Sequence, residues 1–413
     1  MRPAVHQVLA TLGYGDAIGH EVLGIQRVLR GAGYESEIFV QTAEPRVEDL
    51  TLHYSDLKEA SHPDNILIHH FSIGSRASRL AYALPDRMVL VYHNITPPEY
   101  FVDINKELVR LCFRGRRELA LYKSRCDLAL GDSEYNRQEL DALGFTPTGV
   151  LPVVPGFDHL QAADSRTAGA FADDWVNVLF VGRVIPNKRF EDLIRAFHAY
   201  KTFFNPRSRL LLVGSHAGFE RYVAMLHGMI ARLDCRDVHL VGHVSNEELT
   251  AYYEVADIFV SASEHEGFCV PLIESFYMGV PVLAYAATAV PSTMDGAGIL
   301  YTDKDPMHLA ALINAITEDR DLVDRVVDGQ YAALARLEAK DFGATLLEHV
   351  DTVFASPRKP QPDIAFDFWD QVTQAEAFDE LKAHRPSAFL ALPFDSAREN
   401  ASVAQGKPPD NDR

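Results

Sequence analysis

Residues 261–285 read SASEHEGFCVPLIESFYMGVPVLAY. Two carboxylates, Glu266 and Glu274, stand with seven residues between them, and the chain then returns at once to an apolar run. Just upstream, Ile258 to Val260 has the composition of a buried strand, which places Glu264 to Phe268 in the loop at its C-terminal end. Pro271 suits the first turn of a helix, where its missing N–H costs nothing, and predicts a helix over Pro271 to Met278. That helix points its N-terminus at the loop. The free N–H groups of Phe268, Cys269 and Val270, with the positive end of the helix dipole, make an anion site. Gly267 lets the backbone come close to a ligand. Glu266 in the loop and Glu274 one turn inside the helix reach opposite ends of a molecule that is polar at both ends and anionic in the middle. The alternative is two solvated acids near a helix start, where acids are favoured anyway.

Outward from this stretch, short apolar runs alternate with helical patterns. In the first part the runs are Val5 to Ala10, Glu37 to Val40, Ile66 to His69, Met88 to Tyr92, Leu128 to Leu130 and Val150 to Val154, with helices such as Ile18 to Arg30 and Glu134 to Leu143 between them. The second part repeats the scheme with Val178 to Val181, Leu210 to Val213, Val238 to Val241, Ile258 to Val260, Val282 to Tyr285 and Ile299 to Tyr301. Phe190, Leu193, Ile194 and Phe197 fall at i, i+3, i+4 and i+7 and form the apolar stripe of a helix. Strand and helix in alternation imply doubly wound parallel sheets. Two such Rossmann-like domains face across a cleft, with ligands at the C-terminal ends of the strands. The expected boundaries are a first domain over 1–155, a polar linker over 156–174, a second domain over 175–355, an extension over 356–395 and a disordered tail over 396–413. In the extension Phe366, Phe368, Trp369 and Val372 are expected to pack on the body.

A second constellation joins the two glutamates. After strand Val178 to Val181 comes GRVIPNK, with Arg183 and Lys188 on a strand-to-helix loop. Two cations there, in the same half as an anion-binding helix start, suggest a diphosphate clamp; each alone reads as an exposed basic residue.

Composition narrows the classes. Hydrophobic residues make up 47% and charged residues 23% of 413, near globular averages. No run of about 18 apolar residues occurs, so no membrane span is expected. MRPAVHQVLATLGYG has too short an apolar run for a signal peptide. The four cysteines show no CxxC spacing, which fits a reducing cytoplasm rather than disulfides or structural zinc. A net charge of -19 argues against nucleic acid as a partner. One basic run, RLCFRGRRELALYKSR over Arg110 to Arg125, reads either as a solvated helix face or as a patch for anionic lipid heads or a phosphate-bearing acceptor. It leaves open a peripheral position at the inner face of the membrane.

VGRVIPNKRFEDLIRAF, VGHVSNEELTAYYEVADIFVSASEHEGFCVPLIES and GVPVLA together resemble the retaining GT-B glycosyltransferases of family 4, whose E-x7-E signature is met by Glu266 and Glu274. The match covers most of residues 176 to 301. LGYGDAIGHEVLGIQRVLRGAGYESEIFV, YHNITPPEY, GDSEYNRQEL and VLPVVPGFD are similar to the family's first domain. The resemblance implies a nucleotide-sugar donor and a saccharide or lipid-linked acceptor, with GDP-mannose ahead of UDP- and dTDP-hexoses. It implies that Glu266 binds the donor sugar, that Gly267 and the N–H groups of Phe268, Cys269 and Val270 hold sugar and phosphate oxygens, and that Arg183 and Lys188 stabilise the departing diphosphate. Glu274 would take the ribose hydroxyls, Gly13 and Gly15 would let the first loop approach the phosphates, and His93 would stand beside sugar and acceptor, with a satisfied strand-end histidine as its alternative. His69 and His70 read as structural. Base contacts fall around Gly214 and Val241 to Val244. Three places depart from the pattern: GFC replaces GFG, so a positive φ at Cys269 is not assumed; the first loop reads GYGDAIG rather than a double glycine; and VPGFD replaces PNG.

Neither a cofactor nor a metal is expected. DxD occurs as Asp303–Asp305, Asp319–Asp321 and Asp410–Asp412, none of them after a strand that points at the cleft. No covalent nucleophile stands out, so same-face attack with a phosphate oxygen as base fits the family's retention of configuration. The competing readings are a nucleotide-sugar epimerase or a phosphorylase of the same architecture, a dinucleotide oxidoreductase, for which GYGDAIG lacks the full G-x-G-x-x-G spacing, and a non-catalytic paralogue that only binds sugar nucleotides.

Overall fold

The computed structural model describes residues 3–13, 17–153, 156–360, 382–383 and 386–387. Every expected apolar run contributes to a parallel strand. The first sheet comprises β1 (Val5–Leu12), β2 (Ile38–Ala43), β3 (Leu52–His53), β4 (Ile66–Phe71), β5 (Arg87–Tyr92), β6 (Leu128–Gly131) and β7 (Thr148–Val150), in the order β3-β2-β1-β4-β5-β6-β7. The second comprises β8 (Val176–Val181), β9 (Ser208–Val213), β10 (Val238–Gly242), β11 (Ile258–Ser261), β12 (Val282–Tyr285) and β13 (Ile299–Tyr301), in the order β10-β9-β8-β11-β12-β13. β4 and β11 are buried along their whole length, because helices cover both faces of each sheet. The stripe Phe190, Leu193, Ile194 and Phe197 is fully buried on helix Phe190–Phe203. Each sheet reverses its strand order once, between β1 and β4 and between β8 and β11, and the loops leaving those strands line the crevice where doubly wound sheets hold ligands.

Three expectations need correction. The last strand of the first sheet is Thr148–Val150 rather than Val150 to Val154. The Leu151 N–H still bonds to the Gly131 carbonyl at 2.9 Å, but Pro152 has no N–H with which to extend the ladder. Residues 156–174 do not form a featureless linker. They hold a short 3-10 turn, Asp158–Leu160, and a helix, Ser165–Phe171, that packs against helix Asn246–Glu254 of the second domain. Finally, the second domain does not run to 355. Helix Phe342–Ala355 crosses back, and its Leu346, Val350 and Val353 are buried with Val5, Ile25, Leu29 and Ile66 of the first domain. The Arg87 guanidinium caps its end by donating to the carbonyls of Val353 and Ser356, at 2.6 and 2.8 Å. Periodicity shows that such a helix is amphipathic but not which sheet receives it. The aromatic residues of the extension and the tail lie outside the described residues, as does Gly15.

Candidate active site

The residues singled out in the sequence sit at the crevice ends of the strands. Gly13 follows β1, His93 follows β5, Arg183 and Lys188 follow β8, Gly214 follows β9, Val244 follows β10, and the Glu264–Phe268 loop follows β11. Gly214 is required by a close approach: a Cβ there would lie 2.0 Å from the Gly182 carbonyl oxygen. Its N–H in turn donates to the Gly242 carbonyl at 2.9 Å, so β8, β9 and β10 end together.

Lys188 and Glu266 form an ion pair, with their side chains 16% and 7% exposed. Asn187, which the sequence did not single out, fixes the two loops together. Its Nδ2 donates to the His265 carbonyl at 3.0 Å, and its own carbonyl accepts from the Glu264 N–H at 2.9 Å. Burial works to lower the Lys188 pKa, but the Glu266 carboxylate and the Cys269 sulfur together more than offset it, so the ammonium is held above its ordinary value of 10.5. Arg183 is exposed, its guanidinium 5.8 Å from the Phe219 ring centre and close enough to act against the charge of Lys188. The two cations and the Glu266 loop therefore share one region.

Helix Val270–Tyr277 starts beside this pair, with Pro271 in its first turn. Cys269 precedes it at φ 78 and ψ 67, so the left-handed conformation left unassumed for GFC is present with a cysteine. The N–H groups of Phe268, Cys269 and Val270 meet no backbone acceptor among the described residues, as expected for a helix start. Thr288 and Thr293 fix the loop behind them: Thr288 Oγ1 accepts from the Glu266 N–H at 2.9 Å, and Thr293 Oγ1 donates to the Phe268 carbonyl at 2.6 Å.

Glu274 is buried one turn further on, and both of its oxygens are engaged. Tyr253 donates to one at 2.7 Å, and His159 Nε2 lies 2.9 Å from the other. His159 comes from the segment expected to be a linker, and its ring meets that of His20 on the first domain, 6.0 Å between centres. Neither partner had a legible signal, since each lies far from Glu274 in sequence.

The first domain closes directly on the Glu266 loop. Ser133 Oγ donates to the Gly267 carbonyl at 2.7 Å, and Asn94 Nδ2 donates to the Glu266 carbonyl at 3.4 Å. A Cβ on Gly267 would lie 3.1 Å from the His93 carbonyl oxygen and 3.2 Å from the Asn94 Cβ. Gly267 is thus one of the points at which the two domains touch. A cavity of about 310 Å³ opens alongside, between Asp132, Ser133 and Pro152 of the first domain and Phe268, Ile273 and Thr293 of the second. His93 itself is buried, with His70 Nδ1 3.0 Å from its Nε2. His70, read as structural from the sequence, is its direct neighbour.

Among the described residues no three His, Cys, Asp or Glu side chains gather with metal-binding geometry. Asp305 caps helix Pro306–Glu318, accepting from the N–H groups of Met307 and His308, and Asp319 caps helix Arg320–Glu338; Asp410–Asp412 lies outside the described residues. The basic run is less basic than it reads. Arg125 is buried and donates to the carbonyls of Tyr82, Leu84 and Asp86, and Arg116 turns inward to Ile95 and Glu139. Arg117 and Lys123 remain exposed, beside Phe113 and Leu121 at 54% and 56%. No described helix is long and apolar enough to cross a membrane.

Residues 163–332 match the model of glycosyl transferases group 1. The O-antigen chain mannosyltransferase B of Escherichia coli is 29% identical over 34% of this chain and 36% of its own. The D-inositol 3-phosphate glycosyltransferase of Thermobifida fusca is 31% identical over 50% of this chain and 51% of its own. The chain thus spans between a third and a half of the length of these curated relatives. In fold it is similar to Anabaena HepE, solved in complex with UDP-glucose, with a TM-score of 0.64 at 18% identity over 84% of this chain and 99% of that one. With two doubly wound sheets and a cationic loop paired to the first glutamate of E-x7-E, the chain has a GT-B-like fold, and its residues 163–332 are similar to the glycosyl transferases group 1.

Proposed function

We propose that the protein moves a hexose from a nucleotide-diphosphate sugar to a hydroxyl of a saccharide or lipid-linked acceptor, with retention at the anomeric carbon. The observation that carries the reading is the Lys188–Glu266 pair at the N-terminus of helix Val270–Tyr277. Without donor, the ammonium neutralises the carboxylate. With donor, a diphosphate oxygen gives Lys188 a second anion and frees Glu266 for the sugar hydroxyls. Negative charge builds on the diphosphate as the sugar–oxygen bond breaks. Arg183, Lys188 and the N–H groups of Phe268 to Val270 are fixed donors aimed there, and such donors favour the transition state over the ground state. Glu274, with its hydroxyl and imidazole partners, is the group for the ribose hydroxyls. His93 and Gly13 stand on the first domain's side of the cleft.

GDP-mannose is the first donor to test, supported by the mannosyltransferase relative; UDP- and dTDP-hexoses come next, UDP-glucose being bound in the similar structure. The same relative supports a place in surface polysaccharide synthesis. Four buried free thiols fit the cytoplasm, and exposed Phe113, Arg117, Leu121 and Lys123 support peripheral contact with anionic lipid. Thermal-shift screening against a nucleotide-sugar panel tests the donor, since a ligand at about 100 times its dissociation constant adds roughly 2.7 kcal/mol. Product analysis then separates transfer from epimerisation: a new glycoside supports the proposal, and an altered sugar still on its nucleotide overturns it.

A further inference from the structure

The first domain buries a chain of polar side chains that sugar transfer, as proposed, does not consume. Gln7 of β1, His70 of β4, Glu21 of helix Ala17–Gly31, and His93 and Asp132 after β5 and β6 are each at least nine-tenths buried. Their proton positions follow from one fixed amide. Gln7 Nε2 donates to the Val22 carbonyl at 3.0 Å, so its Oε1 is the atom 2.9 Å from His70 Nε2. A carbonyl oxygen only accepts, so His70 Nε2 carries a hydrogen. Burial, with the nearby rings of His93 and His69, holds the His70 pKa well below its ordinary value, so its Nδ1 is bare. Nδ1 then accepts from His93 Nε2–H at 3.0 Å. The remaining nitrogen, His93 Nδ1, faces two carboxylates, Asp132 at 3.6 Å and Glu21 at 3.7 Å.

Two carboxylates around one imidazole in a buried site do not both ionise freely. Glu21 is the one that yields: burial foremost pushes its pKa up to about 7, Asp132 adds to this, and His93 opposes it. Its Oε1 is buried with no hydrogen-bond partner among the described residues. Among the described residues, the other nearby charges are His69, itself kept neutral by burial, and, beyond the loop, Lys188 and Glu266, which neutralise one another.

We infer that His70 and Glu21 are positioning residues for His93: His70 fixes its tautomer, while Glu21 and Asp132 keep one exchangeable proton at its Nδ1 edge. The proton sits behind the residue whose carbonyl and neighbour, Asn94, receive the Glu266–Gly267 loop. Its presence or absence therefore biases how the donor loop seats. This bias on donor chemistry rests on the reading of Glu266 as a donor ligand; the proton arrangement does not.

The test is long-range ¹H–¹⁵N correlation of the ¹⁵N-histidine-labelled full chain from pH 5.5 to 9, in wild type and Glu21→Gln. His70 and His93 are expected as Nε2–H tautomers. His70 stays neutral throughout, and the His93 midpoint falls by about one pH unit or more in Glu21→Gln. A His70 that titrates above pH 6, an Nδ1–H tautomer at either ring, or an unmoved His93 midpoint overturns the inference; the wild-type spectra decide the tautomers even if the variant folds poorly. In turnover with the best donor from the panel, Glu21→Gln shifts the pH profile of kcat and leaves donor KM within about threefold, whereas a merely structural loss would lower activity evenly at all pH. Expected tautomers in a chain that binds no nucleotide-sugar would overturn the proposed function and leave the histidine arrangement standing.

Discussion

Lys188→Met removes one member of a buried ion pair and leaves the Glu266 carboxylate, 7% exposed, without its cation. At an effective dielectric of about 20, unit charges about 4 Å apart attract by ~4 kcal/mol. Loss of one partner in such pairs costs about 3–5 kcal/mol, because the survivor stays desolvated. The same stability loss is expected here, read as the urea midpoint followed by fluorescence of Trp175, which stacks with Lys201 and Arg209 in the second domain. Lys188→Met/Glu266→Gln removes both charges and should recover at least half of that loss. Because Lys188 is held above 10.5, its contribution is complete below pH 10.5 and fades only as pH rises through the folded-state value. The difference between wild type and Lys188→Met is therefore flat from pH 7 to pH 9. A single-variant loss under about 1 kcal/mol, or a double variant equal to the sum of the singles, would refute the claim that this pair is a desolvated, mutually dependent unit.

Arg183→Ala, on an exposed side chain, should leave stability within about 0.5 kcal/mol; it should slow transfer by two to three orders of magnitude, about 2.7–4 kcal/mol of transition-state stabilisation, in a steady-state assay. Gly267→Ala places a methyl 3.1–3.3 Å from His93, Asn94 and Asn136 of the opposite domain; at about 1–3 kcal/mol for such crowding, turnover falls about 10- to 100-fold while donor affinity in calorimetry changes little. Transfer is expected to persist in EDTA; a complete loss restored by Mg²⁺ would contradict it. The Glu21 carboxyl holds a proton in the folded chain between pH 4.5 and about 7 that the unfolded chain has released, so stability falls as pH rises through that window. Glu21→Gln should flatten this slope, by ~3 kcal/mol at most, in denaturation series from pH 5 to pH 8.

What could be read from the sequence followed from the range of each signal. Strand runs and the Phe190–Phe197 stripe are local patterns, and apart from the shifted last strand of the first sheet they appear in place. Lys188 and Glu266 were legible because each lies in the loop that follows a strand, and such loops in doubly wound sheets converge. Asn187, Tyr253 and His159 were not, because a lone Asn, Tyr or His carries no spacing that names its partner. His70 looked like a strand residue, which it is; only the distance to His93 gives it a second role. Arg116 and Arg125 misled in the opposite sense: charge in a sequence says nothing about whether a guanidinium points to water or to buried carbonyls.

Helix Phe342–Ala355 also bears on how the protein comes off the ribosome. Part of one wall of the first sheet stays uncovered until about residue 353 has been made, with Ile25, Leu29 and Ile66 waiting for Leu346, Val350 and Val353. Synthesis at about 5–20 residues per second leaves that wall bare for many seconds, a window in which exposed apolar surface invites aggregation or chaperone capture. A fragment stopped at residue 155 would never leave that window, so attempts to express the first domain alone should carry this helix, fused or added in trans.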